Sequence, residues 1–137
     1  MRKILFTFAL LAACATTVMA QKKPLTHDVY DRWQSVGATK LSVRGTYTLY
    51  EVNPQEGDGI LYVRNNKTGI TTAVPRGYKA QVTDDEQHAV ALIKPEFAKT
   101  RQAKIKKKKA DDMPKDSVAI INLSDMAITK FADVTGF

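Results

Sequence analysis

An internal repeat constrains the fold of this chain more than any other feature of its sequence. Residues 41–54 (LSVRGTYTLYEVNP) align without gaps on residues 82–95 (VTDDEQHAVALIKP) at a constant offset of 41. In each copy a hydroxyl residue leads into a turn, a strand with alternating apolar residues follows, and a proline closes the segment. Strict alternation over this length predicts β-strands that are buried on one side.

A second pair of segments extends the repeat. Residues 59–74 lie over residues 117–132 at an offset of 58, and each copy has an apolar strand, a turn and a second strand. Gly69 lies in the first of these turns, where a glycine can adopt positive φ. The offset grows from 41 to 58, that is by 17 residues, which is the length of an insertion at 96–112.

The period predicts the architecture. A repeat of 41 residues lies within the roughly 40–45 residues of a four-stranded propeller blade. We therefore predict an all-β fold of about two four-stranded antiparallel β-propeller blades, blade 1 at 39–75 and blade 2 at 76–137, with the basic insertion 96–112 as a helix. Two blades form an incomplete propeller, so we expect Leu49, Val63, Val90 and Ile121 to lie on uncovered faces and the chain to be the start of a longer protein.

The N-terminus predicts export. Residues 1–20 have a basic start, an apolar stretch and small residues before Gln21, as in a secretory signal peptide. Cleavage between Ala20 and Gln21 would release the mature chain into the periplasm or the extracellular space, with no stable membrane span left. Cys14, in the lipobox-like "LAAC", offers the alternative of a lipid-anchored protein. Because Cys14 is the only cysteine, the chain after Ala20 cannot form an internal disulfide.

Residues 21–38 predict a short helical lead-in. Thr26 can cap it, and Val29, Tyr30, Trp33 and Val36 recur at helical spacing. We expect Tyr30 and Trp33 to anchor this helix on the core, because aromatic side chains supply much of the buried area of small domains. Gly37 would end the helix.

The positive charge of the chain is local. Seven basic residues lie within 99–109, and two more, Arg2 and Lys3, belong to the leader; the remainder has 12 basic and 14 acidic residues. Nucleic-acid binding ordinarily needs a basic face spread over the fold, so no nucleic-acid partner is expected. We predict an exposed helix from Glu96 to Lys109, pinned by Phe97 and Ile105, with the four lysines of 106–109 solvated in its last turns.

The sequence has few residues in patterns that are typical of catalytic or metal-binding sites. The acids of "PQEGDG" (54–59) and "TDDEQ" (83–87) have the oxygen ligands that calcium prefers, but they lack the twelve-residue loop pattern and are more typical of exposed turns. His27 and His88 are the only histidines, too few for a zinc site without cysteines. We expect no catalytic residue, no cofactor and no metal.

Four segments carry a resemblance to a known family: residues 23–33 (KPLTHDVYDRW), 41–59, 65–69 (NNKTG) and especially 99–117 (KTRQAKIKKKKADDMPKDS). Residues 22–137 resemble the N-terminal part of secreted bacterial serine peptidases of the prolyl oligopeptidase family. The resemblance implies a β-propeller followed by a C-terminal α/β-hydrolase domain with a Ser-Asp-His triad. It also implies peptide substrates, because the propeller of this family restricts access to the serine.

The chain departs from the family where catalysis would lie. No G-x-S-x-G motif occurs, and no two glutamates are adjacent, so neither the nucleophile nor the amine-binding pair of aminopeptidase members can be assigned. At the blade turn, usually "SPDG", the chain has "SVRG" (42–45) and "TDDE" (83–86). We therefore expect a non-catalytic propeller part whose partners are further blades and the hydrolase domain; the alternative is a stand-alone exported β-domain that binds a ligand or protein.

Overall fold

The computed structural model describes Tyr30 and residues 33–134. These residues form the strands β1 (Gln34–Leu41), β2 (Tyr47–Pro54), β3 (Ile60–Asn65), β4 (Thr71–Pro75), β5 (Gly77–Val82), β6 (His88–Ile93), β7 (Asp116–Asn122) and β8 (Ile128–Val134). Helix α1 (Phe97–Ile105) and a short 3₁₀ helix (Ala110–Asp112) lie between β6 and β7. The predicted signal peptide, the Ala20–Gln21 cleavage site and Cys14 lie outside the described residues.

The strands form two four-stranded antiparallel sheets, each in sequential order. Sheet 1 has the order β1-β2-β3-β4, and sheet 2 has the order β5-β6-β7-β8. This confirms the prediction of a mostly β chain with two four-stranded antiparallel units. Among the described residues, no helix has the length and hydrophobicity that crossing a membrane would need.

The two sheets share their strand register. Leu49 lies opposite Val63 in sheet 1, and Val90 lies opposite Ile120 in sheet 2. The first hairpin of each sheet has a bulge, between Val36 and Thr39 in sheet 1 and between Tyr78 and Gln81 in sheet 2, one residue beyond the position that the offset of 41 gives. The second strands of the two sheets, β2 and β6, therefore correspond in the structure at the same offset of 41 residues that the sequence shows.

The predicted offset of 58 for the second halves is wrong by one residue. Asn65 pairs with Tyr47, and Asn122 pairs with His88, so the structural offset here is 122 − 65, or 57. Both asparagines start the turn between the last two strands and accept a backbone N–H with Oδ1, from Lys67 at 2.9 Å and from Ser124 at 3.0 Å. The apolar residues of these segments can be aligned at an offset of either 57 or 58, whereas the two asparagines correspond only at 57.

Tyr30 has 3₁₀-helical conformation, but the helical lead-in predicted for 21–38 is wrong from Gln34 onward. Residues 34–38 belong to β1, which pairs with β2 from Gln34↔Pro54 onward. Trp33 is 55% exposed and makes an edge-to-face contact with Tyr30 at 4.9 Å, so it does not anchor the core. Every residue of β1 is exposed, so its apolar residues do not form the buried stripe that a packed helix would have. Ladder hydrogen bonds to β2 determine the conformation instead.

The turn before the second strand is the same in both sheets. The Ser42 hydroxyl accepts the backbone N–H of Tyr47 at 3.0 Å, and the Thr83 hydroxyl accepts that of His88 at 3.1 Å. Gly45 and Glu86 occupy equivalent positions with φ of 70° and 57°. A glutamate thus adopts the left-handed conformation that usually favours glycine, which explains how "TDDE" can replace a glycine turn.

The core lies between the two sheets. Sheet 1 contributes mostly large side chains (Tyr47, Leu49, Leu61, Val63 and Val74), and sheet 2 contributes several alanines with larger residues near its edges (Ala80, Ala89, Ala91, Ile93, Ala119, Ile121 and Leu123). Large side chains facing small ones allow the sheets to interdigitate without voids. Gly77 completes this contact, because a Cβ at that position would lie 2.8 Å from the Cβ of Leu61.

The basic insertion is helical over a shorter range than predicted. Helix α1 ends at Ile105, so Lys106–Lys109 lie beyond it and not in its last turns. Ala103 is the buried residue of the helix, whereas Phe97 is 37% and Ile105 is 71% exposed; the predicted pinning through Phe97 and Ile105 is wrong. Extending the helix would place Lys108 on the same side as Lys104 at i, i+4 spacing, and like charges at that spacing are destabilising.

Candidate functional site

The two sheets pack through non-equivalent faces. The packed face of sheet 1 includes Leu49 and Val63, whose equivalents at offsets 41 and 57 are Val90 and Ile120. In sheet 2, however, the packed face includes Ala89, Ala91 and Ile121. Successive residues of a strand point to opposite sides, so Val90 and Ile120 lie on the side of sheet 2 that faces away from sheet 1.

This second side is called here the open face of sheet 2. It comprises His88, Val90, Leu92, Val118, Ile120 and Phe131, which are equivalent to Tyr47, Leu49, Glu51, Leu61, Val63 and Val74 of sheet 1. Phe131 is 50% exposed and Val90 and Ile120 are half-buried, whereas Leu92 and Val118, at 6% and 8% exposed, are buried. Val90, Val118, Ile120 and Phe131 are apolar like their equivalents on the face that sheet 1 buries, whereas His88 and Leu92 stand where sheet 1 has Tyr47 and Glu51. No sheet lies over this face in the described chain.

The expectation that Leu49, Val63, Val90 and Ile121 all lie on uncovered faces is largely wrong. Leu49, Val63 and Ile121 are at most 2% exposed, because they lie between the sheets. Only Val90 lies on the open face. The sequence alignment could not separate these cases, because which side of each sheet is covered depends on how the sheets pack and not on strand alternation.

The outward side of sheet 1 differs from the packed side of sheet 2, to which it is equivalent. Tyr50 and Tyr62 lie opposite each other there, with stacked rings 5.2 Å apart, where sheet 2 has Ala91 and Ala119. Arg64 follows on the same side, where sheet 2 has Ile121. This side carries bulkier and more polar residues than the packed side of sheet 2, so a neighbouring sheet on it would need a face that differs from the large apolar face of sheet 1.

A cleft of about 460 Å³ opens where the two sheets and the insertion meet. Its walls come from the β2–β3 loop, the start of β5, the start of α1 and the segment before β7 (Asn53, Pro54, Gly57, Asp58, Gly59, Arg76, Gly77, Lys94, Pro95, Phe97, Thr100, Pro114 and Asp116). It is lined by two cationic and two anionic side chains, which gives it no strong net charge.

Sheet 1 holds the insertion of sheet 2 through the acids of "PQEGDG". Asp58 accepts the backbone N–H of Phe97, the first residue of α1, at 2.9 Å. Glu56 forms an ion pair with Arg101 at 3.2 Å. Negative charge at a helix N-terminus stabilises the exposed N–H groups and the helix dipole. These acids therefore position the helix, a role that sequence alone did not reveal because the partners are 39 and 45 residues away.

The acids of "TDDEQ" also have structural roles. Hydrogen bonds from the Ser42 hydroxyl and the Arg44 backbone N–H lower the pKa of Glu86. The hydroxyl of Thr83 and the backbone N–H of Gln87 lower the pKa of Asp85. Glu86 thus joins the equivalent turns of the two sheets. No cluster of three or more potential metal ligands occurs in the part of the chain that the structure describes.

Tyr78 forms the most perturbed titratable site. Its hydroxyl hydrogen-bonds a carboxylate oxygen of Asp116, and the ammonium groups of Lys94 and Lys79 lie 4.9 and 5.7 Å from its ring centre. The hydrogen bond to Asp116, aided by burial and by the negative charge of that residue, raises the pKa of Tyr78 to about 12. The phenol stays protonated at neutral pH, so this group anchors β5 to β7 and is no general base.

The described residues bring no catalytic set together. His88 is engaged through its backbone with Thr83, and Ser42 is buried with its hydroxyl on the Tyr47 amide. Ser124 hydrogen-bonds Asn122, and Ser35 the carbonyl oxygen of Asn53. His27 lies outside the described residues.

Comparisons with protein-family models, curated proteins and solved structures found no match to this chain.

Proposed function

We propose that the chain is a non-catalytic, blade-like part of the β-propeller of a secreted serine peptidase of the prolyl oligopeptidase family. In this role it limits access of substrates to an active site on a C-terminal α/β-hydrolase domain, so that peptides are cleaved and folded proteins are excluded. The observation that carries the proposal is the packing of two equivalent sheets through non-equivalent faces.

Non-equivalent packing favours an array over a closed pair. If a two-fold axis related the two sheets, both would bury the same face. No equivalent of a buried face would then remain exposed. Here sheet 1 buries its large side chains, and sheet 2 buries its small ones. Head-to-tail contacts of this kind extend until a ring closes, which is how propeller blades and other repeats are arranged.

The open face of sheet 2 indicates what a third unit should present. Val90, Ile120 and Phe131 are large, as are their equivalents in sheet 1, which pack on alanines. A third blade should therefore offer alanine, glycine or serine at its central positions. A second copy of sheet 1 is a poor substitute, because it would present Tyr50, Tyr62 and Arg64.

The peptidase assignment derives from the resemblance of residues 99–117 and the other quoted segments to the family. The chain has no G-x-S-x-G elbow, so the nucleophile, the general base and its carboxylate must come from the hydrolase domain. The contribution of this chain is steric, because it forms part of the propeller that limits which substrates reach the active site. Residues 1–20 fit this role, because an exported peptidase needs a signal peptide.

A stand-alone exported β-domain that binds a ligand is the alternative, and the cleft of about 460 Å³ between the sheets and α1 is the observation in its favour. A volume of this size falls in the range of small-molecule sites.

The coding sequence beyond codon 137 distinguishes the two. The peptidase proposal predicts further blade repeats and then a G-x-S-x-G motif, and it predicts that the full-length protein cleaves short peptides but not the same sequence within a folded protein. Replacing the elbow serine by alanine should abolish cleavage. A stop at codon 138, together with a monomeric and cooperatively unfolding protein, would instead support the stand-alone β-domain.

A further inference from the structure

The lysines of the insertion form a surface separate from both the sheets and the cleft. Helix α1 ends at Ile105, Lys106 caps it, and Lys107 has a φ of 50° that turns the chain away from the helix axis. Residues 106–109 are all exposed. They are called here the basic turn. Four like charges are thus held at the tip of an insertion and not along a helix face.

Carboxylates do not neutralise the basic turn within the described residues. The ion pairs there involve Arg76, Lys99 and Arg101, which bind Glu96 or Glu56. Asp111 and Asp112 follow in the 3₁₀ helix but form no ion pair with the lysines. The charge of the basic turn is therefore available to an external anion.

Two lysines of the basic turn, Lys106 and Lys108, line one depression of the insertion. The depression has a volume of about 230 Å³, and its other lining residues are Gln102, Ala103, Pro114 and Lys99, whose ammonium group is paired with Glu96 at 3.0 Å. Ammonium groups are compact charges with rotatable donors, which suit phosphate oxygens presented in varied orientations. Arginine would instead favour one planar, bidentate ligand.

An exposed apolar residue adjoins these charges. Ile105, immediately before the basic turn, is 71% exposed. Cations beside an exposed aliphatic side chain match a bilayer surface, where lysines meet headgroup phosphates and the apolar side chain enters the acyl boundary. A soluble polyanion would use the lysines but would gain little from Ile105. We propose that the basic turn and Ile105 form a peripheral binding site for an anionic phospholipid bilayer.

The distribution of charge supports one orientation at such a surface. Outside Arg2, Lys3 and the seven basic residues within 99–109, the chain has 12 basic and 14 acidic residues. An anionic bilayer would therefore attract the insertion and weakly repel the rest of the chain. This contact differs from a transmembrane anchor, because electrostatic attraction of this kind is reversible and screened by salt.

The test measures co-sedimentation of the chain from Gln21 onward with extruded vesicles of phosphatidylcholine alone or with about a third phosphatidylglycerol. The proposal predicts binding to the anionic vesicles only, with release in 0.5 M salt. Each lysine near such a surface contributes about fivefold to partitioning, so K106Q/K107Q/K108Q should lower it about a hundredfold. K40Q/K67Q/K130Q removes the same charge from exposed sites on the sheets and should change it less than threefold.

Ile105→Ser separates a bilayer from other anions, because it leaves the charge unchanged. It should lower partitioning about fivefold if Ile105 enters the acyl boundary. Equal losses for the two triple-lysine variants would overturn the proposal, since they would show a general charge effect. Binding to soluble polyphosphate that competes fully with vesicles and ignores Ile105→Ser would overturn it in favour of a polyanion site. Pelleting without vesicles, measured in parallel, is subtracted as self-association.

Discussion

The hydroxyl of Tyr47 donates a hydrogen bond to the backbone carbonyl oxygen of Leu123 at 3.1 Å. Tyr47 begins β2 of sheet 1, and Leu123 follows β7 of sheet 2, so this buried bond joins sheets whose contacting residues are 76 positions apart. Its equivalent in sheet 2 is His88, on the open face. The bond therefore marks the side of sheet 1 that packs on sheet 2.

Tyr47→Phe should destabilise the chain by about 1 kcal/mol, because it leaves the buried Leu123 carbonyl oxygen without this donor. Chemical denaturation followed by far-UV circular dichroism measures the change. Tyr50 is half-exposed on the outward side of sheet 1. Tyr50→Phe is therefore the matched control and should change the free energy of unfolding by less than about 0.5 kcal/mol. Equal effects of the two substitutions would show that the inter-sheet bond is not the cause.

Thr83→Val should destabilise sheet 2 by about 1 kcal/mol, because valine keeps the shape but cannot accept the N–H of His88. Thr83→Ser keeps the hydroxyl that Ser42 supplies in sheet 1, and it should retain most of the stability. The free energies of unfolding of the two variants give the comparison. A serine variant as unstable as the valine variant would mean that the methyl group, and not the turn hydrogen bond, matters here.

Gly77→Ala should destabilise the packing between the sheets by about 1–3 kcal/mol, because the new Cβ would lie 2.8 Å from the Cβ of Leu61. Val36→Ala is the control at the equivalent position of sheet 1, where Val36 is 68% exposed. Thermal unfolding of both variants measures the difference. If Gly77→Ala and the wild type unfold at the same temperature, the close approach of β5 to sheet 1 is not present in solution.

Stability should fall as pH rises from about 10 to about 12, because the pKa of Tyr78 is raised from 10.0 to about 12 in the folded chain. Between these values the unfolded chain loses the phenol proton while the folded chain keeps it, so deprotonation favours unfolding. Below pH 10 the stabilisation is fully present. Denaturation at pH 9, 10 and 11 should show the decline in the wild type and a smaller one in Tyr78→Phe. The same slope in both would exclude Tyr78 as the source.

Sequence reasoning located the strands of the repeat, because alternation and turn residues are local signals that two copies reinforce. It failed for residues 34–38, where helical spacing of Trp33 and Val36 competed with pairing to β2, a partner that the local pattern cannot show. It also placed Lys106–Lys109 inside a helix that ends at Ile105. The composition of this segment favours a helix, but an extended helix would place the like charges of Lys104 and Lys108 at i, i+4 spacing, which is destabilising.

The candidate site depended on information that the sequence pattern lacks. Alternation assigns Leu49 and Val90 to corresponding sides of their sheets, yet Leu49 is buried and Val90 is half-exposed. The difference arises from which side meets a neighbouring sheet. Likewise, the roles of Asp58 and Glu86 depend on partners in the other repeat.

Accessibility of position 90 tests the proposed array most directly. A Val90→Cys thiol can be introduced into this chain, from Gln21 onward, and into the longer protein encoded by the same reading frame; the sequence after Ala20 has no other cysteine in this chain. Any cysteine encoded beyond codon 137 is replaced by serine. The account predicts labelling by a maleimide at least a hundredfold slower in the longer protein, because a third sheet covers the open face. Equal labelling rates, or a reading frame that ends at codon 137, would contradict it.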